Sequence, residues 1–179
     1  MNNELPYQIA LTLAENIGVI TAKKLVEHFG SASDIFKASK KELYDTGIPR
    51  DAVESIKSFN DFSIVEKEIA FIERYNIEPL FITQKNYPQR LLNCYDPPVL
   101  LYYKGNADLN NRKIVSIVGT RSNTAYGKKI TETILEKLAS QNILVVSGLA
   151  YGIDTIAHKA ALDNGLPIIG VLDNGLQTI

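Results

Sequence analysis

"ILVVSGLAYGIDTIAHKAAL", residues 143–162, decides the fold. An apolar run breaks at Ser147-Gly148, a second glycine follows at Gly152, and Asp154 and His158 stand four residues apart. A run apolar on both faces, then glycine, then helically spaced residues, is how a buried parallel strand and its crossover helix read in sequence. The same form recurs outward. "KIVSIVG" (113–119) is an apolar strand ending in glycine, and residues 126–140 form an amphipathic helix through Ile130, Thr133, Ile134 and Leu138. "PIIGVL" (167–172) is a third strand, after a helix over 153–164. The expected class is α/β, a doubly wound parallel sheet. "DNGLQTI" (173–179) falls where the next strand-to-helix loop would begin, and three strands alone would be half-covered, so a fragment of a longer protein is expected.

Upstream the periodicity is different. Residues 5–75 read as helices, with apolar positions at helical spacing through Tyr7, Ile9, Ala10 and Leu13, and again through Ala22, Leu25, Val26 and Phe29. Thr21 is placed to cap or open the second helix, Gly30 to close it, and Ser31 to start another. Gly47 ends a further helix, Pro49 falls just inside the next start, and a longer helix is expected over 61–75. "EPLFIT" and "PPVLLYYKG" are short strand-like runs separated by a turn-rich stretch. The expected domains are residues 1–76, all-α, and 77–179, the sheet.

The chain has 179 residues, 45% hydrophobic, enough for a real core. Its 19 basic and 20 acidic side chains nearly cancel, yet residues 1–80 carry 9 basic against 13 acidic and residues 81–179 carry 10 against 7. An anion-binding surface is therefore expected in the second half. The single cysteine, Cys94, excludes an internal disulfide and argues against a cysteine-based metal site; it is expected to be buried. The start shows no signal-peptide pattern and no apolar run approaches membrane-spanning length, so a cytoplasmic protein with no membrane association is expected.

Parallel strands deliver their carboxyl ends to one rim, where glycine turns and free helix N–H groups receive anions. "SIVGTRSNTAYGKK" offers Gly119 and Gly127 at a spacing that meets neither the dinucleotide fingerprint nor the P-loop, so no nucleotide cofactor is expected. Arg121 follows the strand-end glycine and is expected to meet an anion; Lys128, in the first turn of the next helix, is a candidate phosphate contact, the alternative for it and Lys129 being a solvated surface. Gly148, Gly152 and Ser147 belong to the neighbouring loop and are expected to complete a shared anion site with Gly119, Thr120 and Arg121. Asp154 falls in a first helical turn, which favours a capping carboxylate. His158 is expected to pack, satisfied, on the sheet. With no G-x-S-x-G string and no second acidic group, the Asp–His pair makes no hydrolase, and no catalytic or metal-binding residue is assigned. In the helical half, "IGVITAKKLVEHFGS" (17–31) has the form of a helix-hairpin-helix unit, with Ile20 at the usual second glycine.

"SIVGTR" (116–121), "YG" (126–127), "VVSGLAYGIDTIAHKAAL" (145–162) and "IGVLDNGL" (169–176) together resemble the DprA (Smf) family of DNA-processing proteins. "YPQRLLNCYDPPVLLYYKGN" (87–106) is similar to that family's lead-in to the sheet, and the N-terminal helices to its helix-hairpin-helix/SAM-like domain. The resemblance implies a Rossmann-like domain that binds single-stranded DNA and helps load the RecA recombinase during natural transformation. It also implies a homodimer in the full-length protein and a DNA pocket at Gly119, Thr120, Arg121, Ser147, Gly148 and Gly152. Two positions depart from the pattern. Tyr151 stands where arginine is common, exchanging a charge for a ring on which a base would stack, and Asp173 stands where glycine is frequent. The alternative is a nucleotide-processing enzyme of phosphoribohydrolase type on a related fold, but its expected P-G-G-x-G-T loop is absent from these residues.

Overall fold

The computed structural model describes residues 4–172 and 175–176. The chain divides into two compact units, residues 1–104 and 105–179.

The first unit begins with α1 (Leu5–Leu13), α2 (Val19–Phe29), α3 (Ala32–Lys37), α4 (Lys40–Asp45), α5 (Arg50–Ser58) and α6 (Phe62–Arg74). Local chemistry sets their ends. Gly30 closes α2 at φ +81°, its N–H bonded to the Val26 carbonyl. Ser31 caps α3 by accepting from the Asp34 N–H, and Ser39 with Glu42 forms a reciprocal capping box on α4. The α1–α2 turn differs from expectation. Asn16 takes the left-handed conformation (φ +59°), Gly18 is the N-cap, and Thr21 lies inside the first turn rather than opening the helix. Ile9, Leu11, Leu25, Ile35, Leu43, Val53 and Val65 are buried between the helices. Tyr7, Phe36, Phe59 and Phe62 add a closed set of ring contacts with centroids 5.4–6.0 Å apart.

β1 (Glu78–Phe81) and β2 (Leu100–Tyr103) pair antiparallel, Glu78 opposite Tyr103 and Phe81 opposite Leu100. This pair packs within the first unit, β2 beside α1, whereas the sequence division was drawn where helical periodicity ends, at residue 76. The loop joining β1 to β2 is anchored by Tyr87, fully buried, whose hydroxyl donates to the Pro98 carbonyl at 2.7 Å. Cys94 is exposed, not buried as its residue type suggested: it follows a short helical turn (Gln89–Asn93) with no buried side chain.

The second unit runs β3 (Ile114–Ser116), α7 (Ala125–Leu138), β4 (Leu144–Gly148), α8 (Ile153–Asp163) and β5 (Ile168–Val171). The strands are parallel in the order β3-β4-β5, with Val115 beside Val145 and Val145 beside Ile168. Successive right-handed crossovers in one direction put both helices on the same face. The core agrees: Leu135 of α7 and Ala157, Ala160 and Ala161 of α8 close over Val145, with Ile117 and Ile168 beside it. A doubly wound sheet would have helices on both faces. Here α7 and α8 share one face; on the other, Leu144 is buried, Val146 and Ile169 are half-buried, and Ser116, Val118 and Val171 are exposed. Asp173 lies outside the described residues.

Candidate nucleic-acid interface

The carboxyl ends of β3 and β4 deliver two loops to one rim, residues 117–124 before α7 and 149–152 before α8. Gly152 joins them. Its backbone sits at φ +86°, and a Cβ there would collide with the Thr120 carbonyl and lie 2.6 Å from that of Arg121. The next residue, Ile153, donates its N–H to the Thr120 carbonyl at 3.1 Å. Gly119 gives its place to the Ile153 side chain, which would stand 2.6 Å from a Cβ. Glycine is required at all three positions for a geometric reason: backbone meets backbone at Gly152, and side chains take the Cβ space at Gly119 and Gly148.

Gly148 is pinned from below. The Asp154 Oδ2 would lie 2.6 Å from a Cβ at Gly148, the His158 Nε2 donates to the Gly148 carbonyl at 2.7 Å, and the Thr155 hydroxyl donates to the Ala150 carbonyl at 2.8 Å. Helical side chains lean toward the N-terminus, so one turn and a half of α8 reaches back to hold its own entry loop. His158 is thus satisfied by the last residue of β4. Thr155 went unnoticed in the sequence; the lean of helical side chains was the signal that would have found it.

Two expected roles change. Asp154 is not a cap: Gly152 is the N-cap, and the carboxylate, 7% exposed, has an Oδ1 without a hydrogen-bond partner. Its negative charge complements the α8 dipole from a buried first-turn position. Ser147 does not face the rim surface. It shares the helix-covered face of β4 with Val145, is 2% exposed, and donates its hydroxyl to the Ile117 carbonyl at 2.7 Å, tying β3 to β4. Strand parity carried that information in the sequence.

The two helix N-termini consequently differ. At α8 the first N–H is taken by Thr120 and a carboxylate occupies the first turn. At α7, Thr124 caps the Gly127 N–H at 3.0 Å, and the N–H groups of Ala125 and Tyr126 have no partner among the described residues. Around that end stand Arg121, Lys128 and Lys129, all exposed. Arg121 and Lys129 form no ion pair among the described residues, and Lys128 reaches Glu132 at 3.7 Å, a solvated contact worth little. Free N–H donors and exposed cations thus distinguish the α7 end of the rim from the α8 end. Thr120 lies exposed in the same loop, its hydroxyl accepting from the Ser122 N–H at 3.1 Å. An open cleft of about 570 Å³ descends from Asn123 between α7 and α8, but Lys128 and Lys159 face Glu132, Glu136 and Asp163 there, so it selects no sign of charge. Among the described residues no cluster of His, Cys, Asp and Glu is placed to hold a metal, and no helix is long and apolar enough to cross a membrane.

Residues 78–179 match the family described as DNA recombination-mediator protein A. The chain belongs to the DprA/Smf family. It is 48% identical over 91 residues to the DNA processing protein DprA of Streptococcus pneumoniae, covering 51% of this chain and 32% of that protein. Protein Smf of Synechocystis is 32% identical over 99% of the chain and 46% of the relative. The X-ray structure of DNA processing protein A from Streptococcus pneumoniae superposes with a TM-score of 0.76 at 30% identity, covering 97% of this chain and 59% of that one. This DprA/Smf chain therefore spans about half or less of the length of these curated relatives. The family match includes every residue of both rim loops.

Proposed function

We propose that this DprA/Smf chain contributes a sequence-tolerant single-stranded DNA-binding surface to DNA processing in natural transformation, acting by binding rather than catalysis. The observation that carries the proposal is the open N-terminus of α7, with Arg121, Lys128 and Lys129 around it, inside the segment that matches the family. A backbone phosphate would accept the Ala125 and Tyr126 N–H groups and be neutralised by Arg121. Gly119, Thr120, Gly148 and Gly152 shape the loops, and Ser147 and Asp154 act from beneath. The relatives' names supply the DNA-processing role. The family resemblance extends the proposal to RecA loading, a homodimer, a cytoplasmic location, a Rossmann-like sheet domain and a helix-hairpin-helix/SAM-like helical domain.

The test is an anisotropy titration of labelled oligo-dT against the intact protein and its Arg121→Ala variant. Arg121→Ala is expected to weaken binding several-fold at low salt with unchanged thermal unfolding. Equal titrations would remove Arg121 from the interface. Release of free base from nucleoside monophosphates, followed by HPLC, would instead support the phosphoribohydrolase reading.

A further inference from the structure

Two aromatic side chains stand on the rim with almost nothing against them. Tyr151, in the loop before α8, is 83% exposed, and Tyr126, second residue of α7, is 75% exposed. Neither hydroxyl makes a hydrogen bond and neither ring a ring contact among the described residues. Large rings left this open commonly find their contacts in a partner. The two also belong to neighbouring backbone. A Cβ on Gly127, next to Tyr126, would lie 3.6 Å from Ile153 Cδ1, two residues beyond Tyr151, and the Ile153–Thr120 hydrogen bond holds the loops together. α7 and α8 are packed neighbours, so the two rings belong to adjoining parts of one rim.

We propose that Tyr126 and Tyr151 form a two-ring platform on which bases of one strand stack, while a phosphate of the same strand sits at the α7 N-terminus beside Arg121. The occupant is single-stranded nucleic acid because exposed rings and exposed cations share one rim: Tyr126, Lys128 and Lys129 on α7, Arg121 and Tyr151 in the adjoining loops. Stacking is indifferent to base identity, which suits a sequence-tolerant binder. The inference rests on the proposed single-strand binding and adds the part of it that reads bases rather than phosphates.

The chain contains no tryptophan, so single replacements Tyr126→Trp and Tyr151→Trp are unique fluorescent reporters. The experiment compares a dT oligonucleotide with an abasic oligonucleotide of equal length, which keeps the phosphates and lacks the bases. The intact protein is expected to prefer dT by tenfold or more, on the order of 5- to 100-fold per stacked base. Each of Tyr126→Ala and Tyr151→Ala removes part of that preference, the double variant abolishes it, and Tyr→Phe restores it. Both tryptophan reporters are quenched by dT and not by the abasic strand. Equal binding of the two oligonucleotides by the intact protein, or a dT preference that survives the double variant, overturns the platform and leaves the phosphate site standing. Binding of neither oligonucleotide overturns the single-strand reading and the platform with it.

Discussion

Gly152 adopts a backbone conformation (φ +86°, ψ −127°) that side chains with a Cβ rarely enter, and its missing Cβ is the space in which two loops meet. Gly152→Ala combines backbone strain with collision against main-chain carbonyls that have no rotamer to yield. It should lower stability by about 3 kcal/mol or more in urea denaturation. Gly165 provides the comparison: at φ +68° nothing lies within 4 Å of its Cβ position, so Gly165→Ala should cost only about 1 kcal/mol. A second single-residue effect belongs to Tyr87. Burial, with Cys94 adding a smaller contribution, pushes its phenol up to about 12, above the ordinary value near 10. The folded state therefore favours the neutral phenol. The resulting stability is present below about pH 10 and is lost as pH rises toward 12. Stability measured by denaturant across that window should fall, and Tyr87→Phe should flatten the fall while losing the bond to Pro98.

At the scale of elements, α8 both covers the sheet and holds the loop that precedes it. Thr155→Val keeps the side-chain shape but frees the Ala150 carbonyl, and should cost about 1 kcal/mol. Faster amide exchange is expected at residues 149–152, with exchange in β3 unchanged; uniform acceleration across the unit would show that Thr155 holds the core instead. The elements themselves were legible in sequence, because apolar runs ending in glycine and helically spaced alanines and leucines are local signals. The sharing of one face by both helices follows from strand order, which no local pattern encodes. Arg121, Lys128 and Tyr151 were legible as exposed rim residues, since loops after parallel strands reach one edge. The inward turn of Ser147 is legible from strand parity alone, whereas the unpartnered Asp154 is not, because it depends on which way a side chain turns once the loop closes. The exposure of Tyr126 has no local sequence signal and follows from α7 beginning one residue before it.

Over the whole molecule, charge is close to balanced. Divided at the packed units, residues 1–104 carry 12 basic against 14 acidic side chains and residues 105–179 carry 7 against 6, a smaller asymmetry than the one drawn at residue 80. Long-range attraction to a polyanion is therefore weak, and on the proposed reading the affinity comes from the local cluster Arg121, Lys128 and Lys129 together with stacking. That limits how binding responds to salt. Each neutralised phosphate of a single strand contributes a log–log slope of about −0.7, so three cations allow a slope no steeper than about −2. Arg121→Ala should make it shallower by about 0.7, whereas removing a stacking ring lowers affinity and leaves the slope in place. An oligo-dT titration of the 179-residue chain over a range of salt concentrations separates these terms. A slope much steeper than −2 would mean that the strand runs over cations outside the rim, and the interface would have to be redrawn across more of the chain.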